Sequence, residues 1–165
     1  MKRNPFLLLL PLALFWAACD SGDSGPDIDD VVGEYGFIEY RFLPDSPLLE
    51  PVDMTDTLVV AETRLQLFTS GRFTLLYRFE GSPSATFVGG DAERTSRGVK
   101  LKGESDDEDA YLDLLLPVEI ELSTGTTPGR LSANIDRRVN LSAFSDRYAG
   151  LPSVEGTLIL SLQRN

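Results

Sequence analysis

The chain has no histidine among its 165 residues. That removes Ser-His-Asp and Cys-His nucleophilic sites, histidine general bases and most catalytic zinc sites. Any remaining chemistry must run on carboxylates or on Ser, Tyr, Lys or Arg. Cysteine occurs once, at Cys19, so no internal disulfide can form and a domain must be stable from its core alone. Lysine is scarce too: Lys2, Lys100 and Lys102 stand against twelve arginines. In all, 15 basic residues face 26 acidic ones, a net charge of −11. So acidic a surface repels nucleic-acid phosphates and anionic lipid, and no basic stripe offsets it, which excludes nucleic acid as a partner. An acidic, lysine-poor composition suits a protein kept soluble in high salt, although genomic base composition produces the same bias. Long apolar runs are also missing. The stretch from Phe6 to Trp16 has eleven residues and contains Pro11, whereas a membrane-spanning helix needs roughly 20.

That short run has a different meaning. Lys2 and Arg3 precede it, and small residues follow it, in the layout of a secretory signal. Trp16-Ala17-Ala18-Cys19 resembles the lipobox of bacterial lipoproteins, with Trp16 where a leucine-like residue is usual. The resemblance implies that residues 1–18 are removed, that Cys19 is diacylated through its sulfur, and that its new amino group is acylated. A membrane then becomes the first expected partner. Removal of two bases and no acid leaves 13 basic against 26 acidic residues, a net of −13.

Residues 19–30 follow as a lipidated cysteine and a charged tether with one apolar side chain, Ile28. Acids close behind such a cysteine resemble a surface-export tag in some bacterial groups and an inner-membrane retention mark in others. The expected location is the cell envelope, with the outer membrane preferred over the inner one and its periplasmic or surface face left open.

From Val31 onward the period is two. Phe73, Leu75, Tyr77 and Phe79 alternate with Arg72, Thr74, Arg78 and Glu80. Ala110, Leu112, Leu114, Leu116, Val118, Ile120 and Leu122 alternate with residues such as Tyr111, Asp113, Glu119 and Glu121, and Val154, Leu158, Leu160 and Leu162 repeat the device. Such alternation marks strands with one dry and one wet face. The spacing predicts strands over 33–43, 56–69, 72–80, 84–91, 96–103, 110–122, 130–142 and 153–164. Thr69-Ser70-Gly71-Arg72 reads as a tight hairpin, and acidic Glu104–Asp109 as the tip of another. Pro117, inside the sixth strand, predicts a bulge or an edge there. The fold class is all-β over residues 31–165: an antiparallel up-and-down barrel of about eight strands, with a β-sandwich as alternative.

Val32-Gly33-Glu34-Tyr35-Gly36-Phe37, then Leu65-Gln-Leu-Phe-Thr-Ser-Gly-Arg-Phe-Thr-Leu75, then Gly98-Val-Lys-Leu101 follow a recurring scheme. Over residues 31–103 it resembles the small lipocalin-like domains of bacterial lipoproteins, with Tyr35 in place of the first-strand tryptophan. The resemblance implies a barrel fold and assigns no activity.

A barrel of this size is either filled by its own side chains or holds one small ligand. The bulk of the inward ring favours filling. A cavity would predict an apolar ligand among Phe73, Phe79 and Leu114, oriented by the Tyr77 hydroxyl. Arg137 shares the inward register with Leu131, Ala133, Ile135, Val139 and Leu141. Either a β-bulge at 136–138 turns it out, or it lies at the barrel mouth, facing an anionic head group. The acids at 104–109 lack the spacing of an ion-wrapping loop and read as solvated. No catalytic residue, cofactor or metal is expected. Pro44–Met54, with three prolines beside Leu48, Leu49 and Val52, reads as a lid, an outer packing strip or a protein-binding strip. The expected function is a non-catalytic, monomeric, membrane-anchored module for a small apolar ligand; the alternative is a structural or protein-interaction lipoprotein with a packed barrel.

Overall fold

In the computed structural model, residues 26–142, 146–151 and 153–165 are described. The signal, Cys19 and most of the tether lie outside them. The chain runs through a short helix α1 (Ile28–Val31) and strands β1 (Gly33–Pro44), β2 (Val52–Asp53), β3 (Arg64–Leu67), β4 (Arg72–Tyr77), β5 (Thr86–Arg94) and β6 (Gly98–Gly103). Helix α2 (Glu108–Asp113), β7 (Glu119–Thr124), β8 (Arg130–Val139) and β9 (Val154–Arg164) complete it. β1 pairs with β3, each strand from β3 to β9 pairs antiparallel with the next, and β9 returns to β1, while the two-residue β2 adds to the end of β1. The result is a closed, eight-stranded up-and-down β-barrel, lipocalin-like in architecture. Closure of a single sheet on itself rules out the sandwich.

Alternation explains most of the wall. Phe73, Leu75 and Tyr77 on β4, and Leu158, Leu160 and Leu162 on β9, are all buried, as the period of two predicts. The hairpin at residues 69–71 also forms as read. Gly71 adopts φ +72°, Phe68 N–H bonds to Arg72 O, and Gly71 N–H bonds to Phe68 O, a three-residue turn that favours glycine.

Three stretches depart from the strand reading. Residues 56–69 hold two 3-10 turns, Thr55–Thr57 and Val60–Glu62, before a strand of only four residues. The segment 110–122 is not one strand. A 3-10 turn (Ser105–Asp107) leads into α2, and strand begins only at Glu119. Glu108 and Asp109 complement the positive end of that helix, and Ala110 and Leu112 are good helix formers. Its end is sharp: Leu116 N–H bonds to Tyr111 O and Leu115 N–H to Leu112 O, with Leu115 at φ +57°. This is a Schellman stop carrying leucine where glycine is usual, and Pro117 follows it rather than bulging a strand. Finally, β8 and β9 pair without interruption from Arg130↔Gln163 to Val139↔Val154, so no bulge turns Arg137 outward.

The bulge lies instead on β1, at Ile38. It lets Phe37 and Tyr40 both face inward, where their rings meet edge to face at 5.7 Å. One seam is weak. β7 and β8 share two registered pairs, whereas β8 and β9 share ten.

An even number of strands gives the barrel two unlike ends. One holds the turns 68–71, 95–97 and 125–129, helix α1 and both termini of the fold. There Tyr35 donates to Val31 O at 2.7 Å and the Arg164 guanidinium lies 5.9 Å from the Tyr35 ring centre. The other end holds the connections 45–63, 78–85, 104–118 and 140–153.

Candidate functional site

The end with the long connections is stoppered by residues 104–118. Helix α2 places Tyr111 inward, and its ring lies on Gly103 so closely that a Cβ there would fall 2.4 Å from it. Tyr77 donates to Ala110 O at 2.9 Å, and Gly89 N–H donates to the Asp107 carboxylate at 3.2 Å. Leu114, Leu115 and Leu116 follow, all buried. Arg137 closes the set by donating from Nη1 to Leu115 O at 2.7 Å. The only non-glycine residue with positive φ among the described residues is thus held by an arginine.

Behind this plug lies a small polar group. Tyr40, 1% exposed, has a hydroxyl with no hydrogen-bond partner. Burial pushes its phenol up, and the nearby Arg137 charge pulls the other way. Burial likewise pushes up Tyr77 and Tyr111, with Asp107 adding to both. Arg137 has no carboxylate within salt-bridge distance among the described residues. With no bulge to turn it out, Arg137 lies at the mouth against the plug and bonds to a backbone carbonyl there.

Of the other candidates, Phe73 faces the barrel centre, whereas Tyr77 and Phe79 stack edge to face at 5.5 Å. Leu114 is fully buried in the plug rather than on a strand. At the centre, Phe73, Leu75, Tyr111, Leu116, Leu160 and their neighbours leave a void of about 20 Å³. That holds about one water-sized sphere; small-molecule pockets run to roughly 300–1,000 Å³. The barrel is filled by its own side chains.

Two inward tyrosines escape the period of two. Strict alternation from Tyr35 and Phe37 points Glu39 inward and Tyr40 out; an inward glutamate is costly, which is the signal for the bulge. Tyr111 reads as outward on a strand and Leu112 as inward, and the helix reverses both: Tyr111 is buried and Leu112 is 48% exposed. Of the acids expected at a hairpin tip, Glu104 pairs with Arg72 and Asp107 binds the Gly89 amide. No group of three or more Asp, Glu or Cys side chains able to hold a metal exists among the described residues. In the loop after β1, Leu49 packs on the core and Val52 and Met54 are buried, but Leu48 is 91% exposed.

Among the described residues the site offers donors to an anion, three phenols and apolar walls, and it contains no buried carboxylate. Compared with known proteins, the chain matches no family model, no curated sequence and no solved structure.

Proposed function

We propose that this protein is a lipid-anchored envelope lipoprotein whose packed, non-catalytic barrel serves as a scaffold for interaction with another envelope component. The observation that carries this reading is the filled interior, about 20 Å³ of free space. The anchor is Cys19. It stands seven residues before Pro26, so the barrel end at α1 hangs within roughly 25 Å of the bilayer. The outer membrane is the proposed location, and the barrel acts as a monomer. Cys19→Ser should leave the membrane fraction as a folded, soluble protein. Continued pelleting of that variant with membranes would sink the anchor assignment.

A second reading keeps the small apolar ligand. It is favoured by the Tyr40 hydroxyl, without a hydrogen-bond partner among the described residues, and by Arg137, which bonds there to a plug carbonyl. A ligand with an anionic head could replace that carbonyl if α2 moved aside. A thermal-shift screen with fatty acids and apolar dyes separates the two readings. The packed scaffold predicts no stabilisation; a rise of several degrees that vanishes in Arg137→Ala would make the ligand reading the correct one.

A further inference from the structure

The two barrel ends differ in charge as well as in shape. The connections 45–63, 78–85, 104–118 and 140–153 hold thirteen acidic residues and two basic ones, Arg78 and Arg147. The remaining parts of the fold, 26–44, 64–77, 86–103, 119–139 and 154–165, hold eleven acids and eleven bases. Within residues 26–165, the whole excess of negative charge thus lies in the four connections at the end opposite α1. On the wall, charges are matched in pairs such as Lys100–Glu119, Arg64–Glu34 and Arg41–Glu39. Around α2, Asp106, Glu108, Asp109 and Asp113 have no cationic partner among the described residues.

Apolar side chains are exposed at the same end. Leu48 (91%), Leu112 (48%), Leu151 (40%) and Val60 (44%) sit in these connections, and Phe87 is the second residue of the strand leaving one of them. Ile38 is the one large exposed apolar side chain elsewhere among the described residues. A hydrogen bond from the Tyr148 hydroxyl to Glu50 O ties the loop of Leu151 to the loop of Leu48. Leu112 borders a groove of about 310 Å³ with Leu115 and Val139, edged by Asp113 and by Arg137 and Arg138, the first bonded to Leu115 O and the second paired with Glu155.

We infer that this end is a docking surface for a cationic protein segment carrying apolar anchors, such as an amphipathic basic stretch of an envelope partner. The inference rests on the scaffold reading above and names its partner's chemistry. Charge complementarity selects the occupant. Anionic lipid and the same end of a second copy are both repelled, whereas a lysine- or arginine-rich segment is attracted. Exposed leucines beside the acids then supply anchors that charge alone does not. With α1 and the tether at the opposite end, the surface faces away from the bilayer.

The test titrates a labelled lysine–leucine amphipathic peptide, and an all-lysine peptide of equal length, onto the full chain in vesicles, with protein-free vesicles as blank. The amphipathic peptide should bind more tightly. Binding should weaken about tenfold or more in Asp106→Asn/Asp109→Asn/Asp113→Asn and, separately, in Leu48→Ser/Leu112→Ser/Leu151→Ser. The wall variant Glu93→Gln/Glu121→Gln should stay within about twofold of the parent. Equal weakening by wall and end variants, absence of binding above the blank, or complete displacement by stoichiometric Ca²⁺ would each overturn the inference. Failure here with Cys19→Ser still released from membranes refutes the docking surface alone; pelleting of Cys19→Ser refutes the anchor and leaves the peptide result standing.

Discussion

Replacing Gly103 by alanine tests whether the plug is seated as described. A Cβ at Gly103 would meet two Tyr111 ring carbons at 2.4 and 2.6 Å and its hydroxyl at 2.7 Å, where such atoms rest at roughly 3.5–4.0 Å. The ring must therefore retreat by more than about 1 Å. The void of about 20 Å³ that it lines is too small to take the ring, so a retreat of this size pushes α2 outward. Overpacking of this kind costs about 1–3 kcal/mol. Gly103 is not in the left-handed region, so alanine also narrows the unfolded ensemble and returns about 0.4–1 kcal/mol. A net loss of about 1–2 kcal/mol is expected.

The decisive comparison is a double-mutant cycle. Tyr111→Ala alone should cost about 3–5 kcal/mol, as for other large buried rings. In that background the three closest contacts of the new Cβ are gone and Gly103→Ala should stabilise, giving a coupling of about 1–3 kcal/mol. Urea unfolding of the full chain, followed by far-ultraviolet circular dichroism, measures all four corners. If Gly103→Ala has the same effect with and without the Tyr111 ring, the ring does not lie on Gly103 and the plug is wrongly placed.

Other perturbations probe different parts of the barrel. Burial raises the phenols of Tyr35, Tyr40, Tyr77 and Tyr111. Their contribution is complete below the ordinary phenol value near pH 10 and is lost as pH climbs above it, by up to about 1.4 kcal/mol per pH unit for each tyrosine. Urea midpoints measured from about pH 9 to 11 should fall, and a flat profile would contradict the burial. Arg137→Met removes the donor to Leu115 O, so α2 amides should exchange faster and stability should drop by about 1.5–3 kcal/mol. Unchanged exchange in α2 would mean that the bond does not hold the plug. In the parent, amides of β7 that face β8 should exchange well before those of the β8–β9 ladder, because the first seam has two registered pairs and the second ten. Equal protection factors would refute the weak seam.

Where a segment is bounded by a single physical signal, the sequence could be read directly. On β4 and β9 every second residue is apolar, so orientation follows from the pleat, and Gly71 marks its turn because only the left-handed conformation closes that hairpin. Between Ala110 and Leu122 two signals compete. Leucines at every second position also satisfy one turn of helix with a stop behind it, and the acids at 107–109 decide for helix through the end charges of the peptide dipoles. Tyr40 was hidden for another reason. A bulge shifts the inward set by one residue, and its one trace in the sequence is the Glu39 that strict alternation would turn inward. The site suffers from the same two effects: Phe73 and Tyr77 were legible because they lie on a regular strand, whereas Tyr40, Tyr111 and Leu115 depend on the bulge and the helical stop.

Why this barrel is filled follows from its stability. A ligand-sized cavity of about 300 Å³ would cost roughly 7 kcal/mol at about 24 cal/mol per Å³. A domain's whole stability is about 5–15 kcal/mol, and with Cys19 as its only cysteine this one has no disulfide to offset the loss. Filling the interior with Phe73, Tyr111 and the leucines around them keeps that free energy, at the expense of internal binding space. On the docking proposal, recognition is left to the outside of the molecule, where many strand charges are matched in pairs such as Arg64–Glu34 and Lys100–Glu119. Among the described residues, the long connections are where acids without a cationic partner stand beside exposed leucines. Mutations that enlarge the void should therefore lower stability without weakening peptide binding, whereas mutations at Leu48, Leu112 and Asp113 should do the reverse. Measuring both quantities on Leu160→Ala and on Leu112→Ser decides the matter. A cavity variant that loses binding while still folded would place recognition back inside the barrel.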